Sequence, residues 1–160
     1  MSNVTIKKIS DLIKKGGIYT DYHGKNFEDI YYQVCRRIQL PEGVTSKELY
    51  ESLISREKIM CTAIGHGFAI PHPIDYFFPK NEEKIVVVTS KEKLNMDSLD
   101  YEDVYVLFFL FLHDKDTLLQ IASLLNMLFR DDSLLSVFNR EFSDTYFRKL
   151  ITQSIFKYGK

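Results

Sequence analysis

Cysteine is scarce in this sequence, neither sign of charge prevails, and no apolar run is long. The two cysteines, Cys35 and Cys61, have no CxxC spacing and fall far below the density of a secreted disulfide framework. They read as reduced, partly buried thiols. Lys and Arg together number 21 against 22 Asp and Glu, so no global field holds nucleic acid or an anionic membrane, and no local basic patch replaces it. The strongest apolar run, Val104 to Leu112, ends in His113-Asp114 and is about half as long as a membrane-spanning helix. Met1 to Lys15 is polar and lysine-bearing, without the apolar stretch of a secretory signal. Repeats, low-complexity tracts and interdomain linkers are also missing. No Walker loop, dinucleotide fingerprint or nucleophile elbow is present, which argues against direct use of ATP or NAD and against a serine hydrolase. The expectation is a cytoplasmic chain forming one domain over residues 1–160, with no nucleic-acid partner and no direct membrane insertion.

What is present is apolar substance and periodicity. With 45% hydrophobic and 14% aromatic residues, the chain can bury one substantial core. An amphipathic segment begun near Val4 runs to Lys15 and ends at Gly16-Gly17, ahead of a possible strand from Ile18 to Asp21. Asn26 can cap a helix whose apolar positions Phe27, Ile30, Tyr31, Val34 and Ile38 share one face, stopping at Leu40-Pro41. Thr45 and Glu48 have capping-box spacing, predicting a helix from about Ser46 to Glu57. Glycines and prolines bracket short apolar pieces between Lys58 and Pro73, as in strand, tight loop, strand and rigid turn. Lys84 to Ser90 and Val104 to Leu112 read as buried central strands covered on both faces. Thr117 onward, with Leu118, Ile121, Ala122, Leu125, Leu128 and Phe129 on one face, predicts a helix, and shorter helical stretches follow near Ser133 to Phe138 and Ser143 to Phe156. Helices, then strands, then helices imply an α/β fold: a three-layer α/β/α sandwich around a mixed β-sheet.

Of four histidines, His72 is the most constrained, because Pro71 fixes the backbone before it and Pro73 restricts its own ψ. A histidine that accepts and passes on a phosphoryl group needs a neutral nucleophilic nitrogen, a fixed ring and donors for the phosphate oxygens. Main chain near Gly65 and Gly67 can approach a ligand closely, and Arg56 can add a charged fork. Taken alone, a histidine between prolines is more often structural, a hydrogen-bonded turn residue. His66, between two glycines, reads as an exposed loop side chain beside the site.

Arg56, Thr62, Gly65, Gly67, Ala69, Ile70, Pro71 and His72 stand in an order and spacing that resemble the active-site signature of the enzyme IIA domains of the phosphoenolpyruvate-dependent phosphotransferase system, in the fructose, mannitol and nitrogen-regulatory class. The likeness of element order extends over roughly residues 5 to 155. It implies that His72 is the phosphoacceptor, that an HPr-like phosphocarrier is the donor, and that Arg56 and Thr62 hold the phosphate. A IIB domain or a regulated protein is the implied acceptor or target, and neither cofactor nor metal is needed. The chain departs from the pattern at one position. Relatives of the nitrogen-regulatory and mannitol types carry a second histidine at the start of the long helix after the last core strand, and Thr117-Leu118 stands there instead. Thr117 offers a hydroxyl but no charge; His113, four residues earlier, is the other candidate to steady the imidazole.

Three further readings bear on the same residues. His66, His72 and His113 with Asp75 or Asp114 are permitted zinc ligands but lack compact metal-site spacing. Phe68, Ile74, Tyr76, Phe77 and Phe78 form either an apolar docking rim for a phosphocarrier or ordinary packing. A non-catalytic binding module that keeps the fold without the transfer activity is the alternative function.

Overall fold

The first helix, α1 (Ile6–Gly16), ends where Gly17 adopts a left-handed φ of 91° and returns its amide to the Ile13 carbonyl at 2.7 Å. That turn is open to glycine and strained for other residues. It feeds β1 (Ile18–Tyr22). The computed structural model describes residues 6–65, 67–96 and 104–128; the helical stretches expected near Ser133 to Phe138 and Ser143 to Phe156 lie outside them. The Asn26 side chain accepts the Asp29 amide and starts α2 (Phe27–Arg37). Thr45 and Glu48 close the full capping box at the start of α3 (Ser46–Ile59), which runs two residues past the expected stop. Short strands β2 (Ala63–Gly65) and β3 (Phe68–Ala69) follow. The long β4 (Lys84–Leu94) and β5 (Val104–Phe111) come next, then α4 (Lys115–Leu128). β4 continues beyond the expected Ser90, its register with β5 shifting between Thr89 and Leu94.

The sheet has the order β1-β4-β5-β3-β2. β1 runs parallel to β4 and β3 parallel to β5, whereas the β4–β5 and β2–β3 pairs are antiparallel. Side chains alternate across it, as the pleat requires. Ile85, Val87, Val106, Phe108, Leu110, Phe68 and Ile70 pack against α1 and α4 through Ile9, Ile13, Leu118, Ile121 and Leu125. Val86, Val88, Leu107, Phe109, Phe111 and Ala69 pack against α2 and α3 through Ile30, Tyr31, Val34, Leu49 and Leu53. Two cores on one sheet make the expected three layers. Cys35 is buried in the second core, its thiol pushed up to about 12 by desolvation, and Cys61 is half-buried; neither is in a disulfide. No helix among the described residues is long and apolar enough to cross a membrane.

At the end of α1 the helix meets β4 backbone to backbone. A Cβ on Gly16 would lie 2.0 Å from the Ile85 carbonyl oxygen, a main-chain atom held in the sheet. Gly16→Ala is therefore expected to lower stability by about 2–3 kcal/mol through overpacking, seen as a fall in Tm; an unchanged Tm would show that α1 can draw back freely.

Candidate active site

β3 and β5 are adjacent and parallel, so the segments leaving their carboxyl ends emerge side by side, the usual place for a site in an α/β sheet. The first of these segments carries His72 and the second carries His113. Pairing continues past the end of β3, where the Pro71 carbonyl accepts the Leu110 amide at 2.9 Å. Beyond His72 the chain is tied to α3: the Ser52 hydroxyl accepts the Asp75 amide at 3.2 Å, and the Ser52 carbonyl accepts the Ile74 amide at 3.4 Å. Arg56 lies one turn further along the same helix and the same face.

His72 is 9% exposed, and its Nδ1 lies 2.9 Å from the Ile70 carbonyl oxygen. A carbonyl only accepts, so Nδ1 carries the proton and Nε2 keeps its lone pair. Among the described residues no group bonds Nε2. Burial pulls the His72 pKa below its ordinary 6.5; the Ile70 carbonyl opposes this, and the positive charge of Arg56 adds to the lowering. A neutral imidazole with one fixed nitrogen and one free nucleophilic nitrogen results. Arg56 is half-buried, with Nη1 donating to the Met60 carbonyl at 2.6 Å and thereby tied to the C-terminal end of its own helix.

Thr62 is 4% exposed. Its hydroxyl donates to Glu57 Oε1 and its amide donates to Glu57 Oε2 at 3.0 Å, so in this state the hydroxyl is turned to Glu57. Thr117 is 7% exposed, in the first turn of α4. Its amide donates to Asp114 Oδ1 at 2.8 Å, the N-cap arrangement. The Thr117 hydroxyl and amide bonds, followed by the charges of His113 and Lys8, hold the Asp114 carboxyl below its usual range. His113 stands between two carboxylates, with Nδ1 at 2.6 Å from Glu83 Oε2 and Nε2 at 3.1 Å from Asp114 Oδ2. Only the imidazolium form satisfies both contacts in full. Thr117 and His113 are thus joined through Asp114, and among the described residues neither bonds the His72 ring.

Of the expected apolar rim, Phe68 and Phe78 are fully buried core residues, whereas Ile74 and Tyr76 are exposed. Burial and then the negative charges of Asp114 and Asp116 raise the Tyr76 phenol. Ile59 and Met60, at the end of α3 beyond Arg56, are also exposed. Among the described residues no three His, Cys, Asp or Glu side chains gather as a ligand set. His66 lies outside the described residues. Sequence reasoning passed over Glu57 and Glu83, two carboxylates that hold proposed site residues, and the Ile70 carbonyl, which has no sequence signature.

The profile of the phosphoenolpyruvate-dependent sugar phosphotransferase system, EIIA 2, matches residues 11–154. The chain belongs to this enzyme IIA family. The IIA chain is 26% identical over 109 residues to the mannitol-specific phosphotransferase enzyme IIA component of Mycoplasma pneumoniae, covering 68% of this chain and 76% of that protein. Its fold resembles the nitrogen regulatory protein IIA-Ntr of Neisseria meningitidis, with a TM-score of 0.68 and 20% identity over 81% of this chain and 89% of that one. It also resembles the IIA mannitol structure from Escherichia coli, with a TM-score of 0.59 and 14% identity over 89% and 96% of the two chains.

The ring electrostatics of this IIA chain are open to a titration. In wild type the His72 ring is expected to titrate below 6.5, and Arg56→Ala to raise that pKa by removing a repelling charge; an unmoved titration would place Arg56 too far away to act. Between the lowered pKa and 6.5 the unfolded chain binds more protons, so the stability present above pH 6.5 falls as pH drops through that window.

Proposed function

We propose that the chain takes a phosphoryl group from an HPr-like phosphocarrier onto Nε2 of His72 and passes it to a IIB domain or uses it to change binding to a regulated protein. The observation that carries this reading is the ring itself: a buried, neutral imidazole with Nδ1–H held by the Ile70 carbonyl and Nε2 unbonded among the described residues. Family membership supports it.

In this reading the Nε2 lone pair attacks phosphorus as the donor's N–P bond breaks. A donor ring protonated on its other nitrogen leaves as neutral imidazole, and His72 keeps its Nδ1 proton and becomes the cationic phosphoimidazole. The proton count and the charge both balance. Such a transfer asks the protein chiefly for position and charge complementarity. Arg56 supplies the positive charge. Thr62 joins by turning its hydroxyl from Glu57 to a phosphoryl oxygen, and Thr117 by turning its hydroxyl from Asp114. Asp114 is half-exposed, so Thr117 is the cheaper of the two α4-side donors to release; His113 is held at both nitrogens, one of them by the 4%-exposed Glu83 side chain. Ile74, Tyr76, Ile59 and Met60 supply exposed apolar surface of the kind used in transient docking.

Intact-protein mass after incubation with phosphoenolpyruvate, enzyme I and a cognate phosphocarrier, under alkaline conditions, is expected to rise by one phosphoryl group in wild type and not at all in His72→Ala. No gain in wild type would favour a non-catalytic binding module. Thr117→Val is expected to shorten the lifetime of the phosphoprotein by about 5–10-fold, the worth of one hydrogen bond; an unchanged lifetime would remove Thr117 from the site.

A further inference from the structure

A continuous line of hydrogen bonds runs from the middle of α2 to the His72 ring, and Glu57 is its junction. The Tyr31 hydroxyl, on α2, donates to Glu57 Oε1 at 2.7 Å. The Thr62 hydroxyl donates to the same oxygen, and the Thr62 amide donates to Oε2 at 3.0 Å. The Thr62 carbonyl accepts the Ile70 amide at 3.0 Å, and the Ile70 carbonyl accepts Nδ1–H of His72 at 2.9 Å. Tyr31 is fully buried; burial first, and then Glu57, raises its phenol well above the usual range, so it stays a donor. The Glu57 carboxylate thus accepts three donors from two segments that are distant in sequence.

We propose that Glu57 is a positioning residue that sets the tautomer of His72. It does so through main chain: by holding both donors of Thr62 it fixes that residue's peptide, whose carbonyl fixes Ile70, whose carbonyl selects the Nδ1–H form and leaves Nε2 as the lone-pair nitrogen. As seen, the carboxylate is the acceptor for all three donors. Glu57→Gln can keep the junction, with its oxygen on the Thr62 amide and its NH2 donating to the two hydroxyls, so the variant that removes it is Glu57→Ala. The effect on phosphoryl transfer rests on the function proposed above; the effect on the tautomer does not.

The test uses the full chain, 15N-labelled, with the His72 ring read by long-range 1H–15N correlation at neutral pH. Wild type is expected to show the Nδ1–H pattern. A folded Glu57→Ala variant is expected to show the two tautomers mixed, with phosphorylation at least tenfold slower. A folded Glu57→Ala protein that keeps the wild-type ring pattern would overturn the proposal. If Glu57→Ala does not fold, Thr62→Val and Thr62→Ser take its place. The tautomer is expected to mix in the valine variant and to be restored in the serine variant, and identical ring patterns in both would likewise overturn it. Wild type that shows the Nδ1–H form but takes up no phosphate would sink the transfer reading and leave this one standing.

Discussion

Seven of the eight side chains of β5 are buried, and this strand has to satisfy two cores at once. Val106, Phe108 and Leu110 serve the face under α1 and α4, and Leu107, Phe109 and Phe111 the face under α2 and α3. Such burial on both faces suits a strand covered by helices on each side. β5 has β4 on one side and β3 on the other, and the parallel pairing with β3 brings the His72 and His113 segments out at the same end.

Helices and strands with strong periodicity were legible in the sequence. The caps at Asn26 and Thr45 are local chemistry, readable within four residues, and the apolar runs of β4 and β5 declare themselves. Ends were less legible: α3 runs on to Ile59 and β4 to Leu94, because local signals at helix ends are weak and Leu94 is held in the second core by residues remote in sequence. Strand order was not readable, since pairing of β3 with β5 joins residues almost forty positions apart.

The candidate site was legible where it depends on side chains in a short signature. His72 and Arg56 lie within one segment, and the structure sets them close enough for the charge of one to act on the other. Partners were not legible. Glu57 meets Tyr31 from another helix, Glu83 meets His113 from a distant turn, and the Ile70 carbonyl is invisible to any reading of residue types. What the family resemblance implied for Thr62 and Thr117, and chain position for His113, was direct contact with the phosphoryl group or the ring. In the structure each of them is engaged with a carboxylate instead, an arrangement that only long-range geometry reveals.

The carbonyl that receives the His72 Nδ1 proton has a bearing on how long a group could remain on the ring. An imidazole that gains a phosphoryl substituent at one nitrogen while its other nitrogen stays protonated carries a positive charge, and the ring is then the better leaving group. A backbone oxygen 2.9 Å away stabilises that proton and cannot itself take it up. On the function proposed above, such a ring would relay rather than store: its cargo would be short-lived unless neighbouring donors guard it, and the state of the chain would follow the supply of donor closely in time.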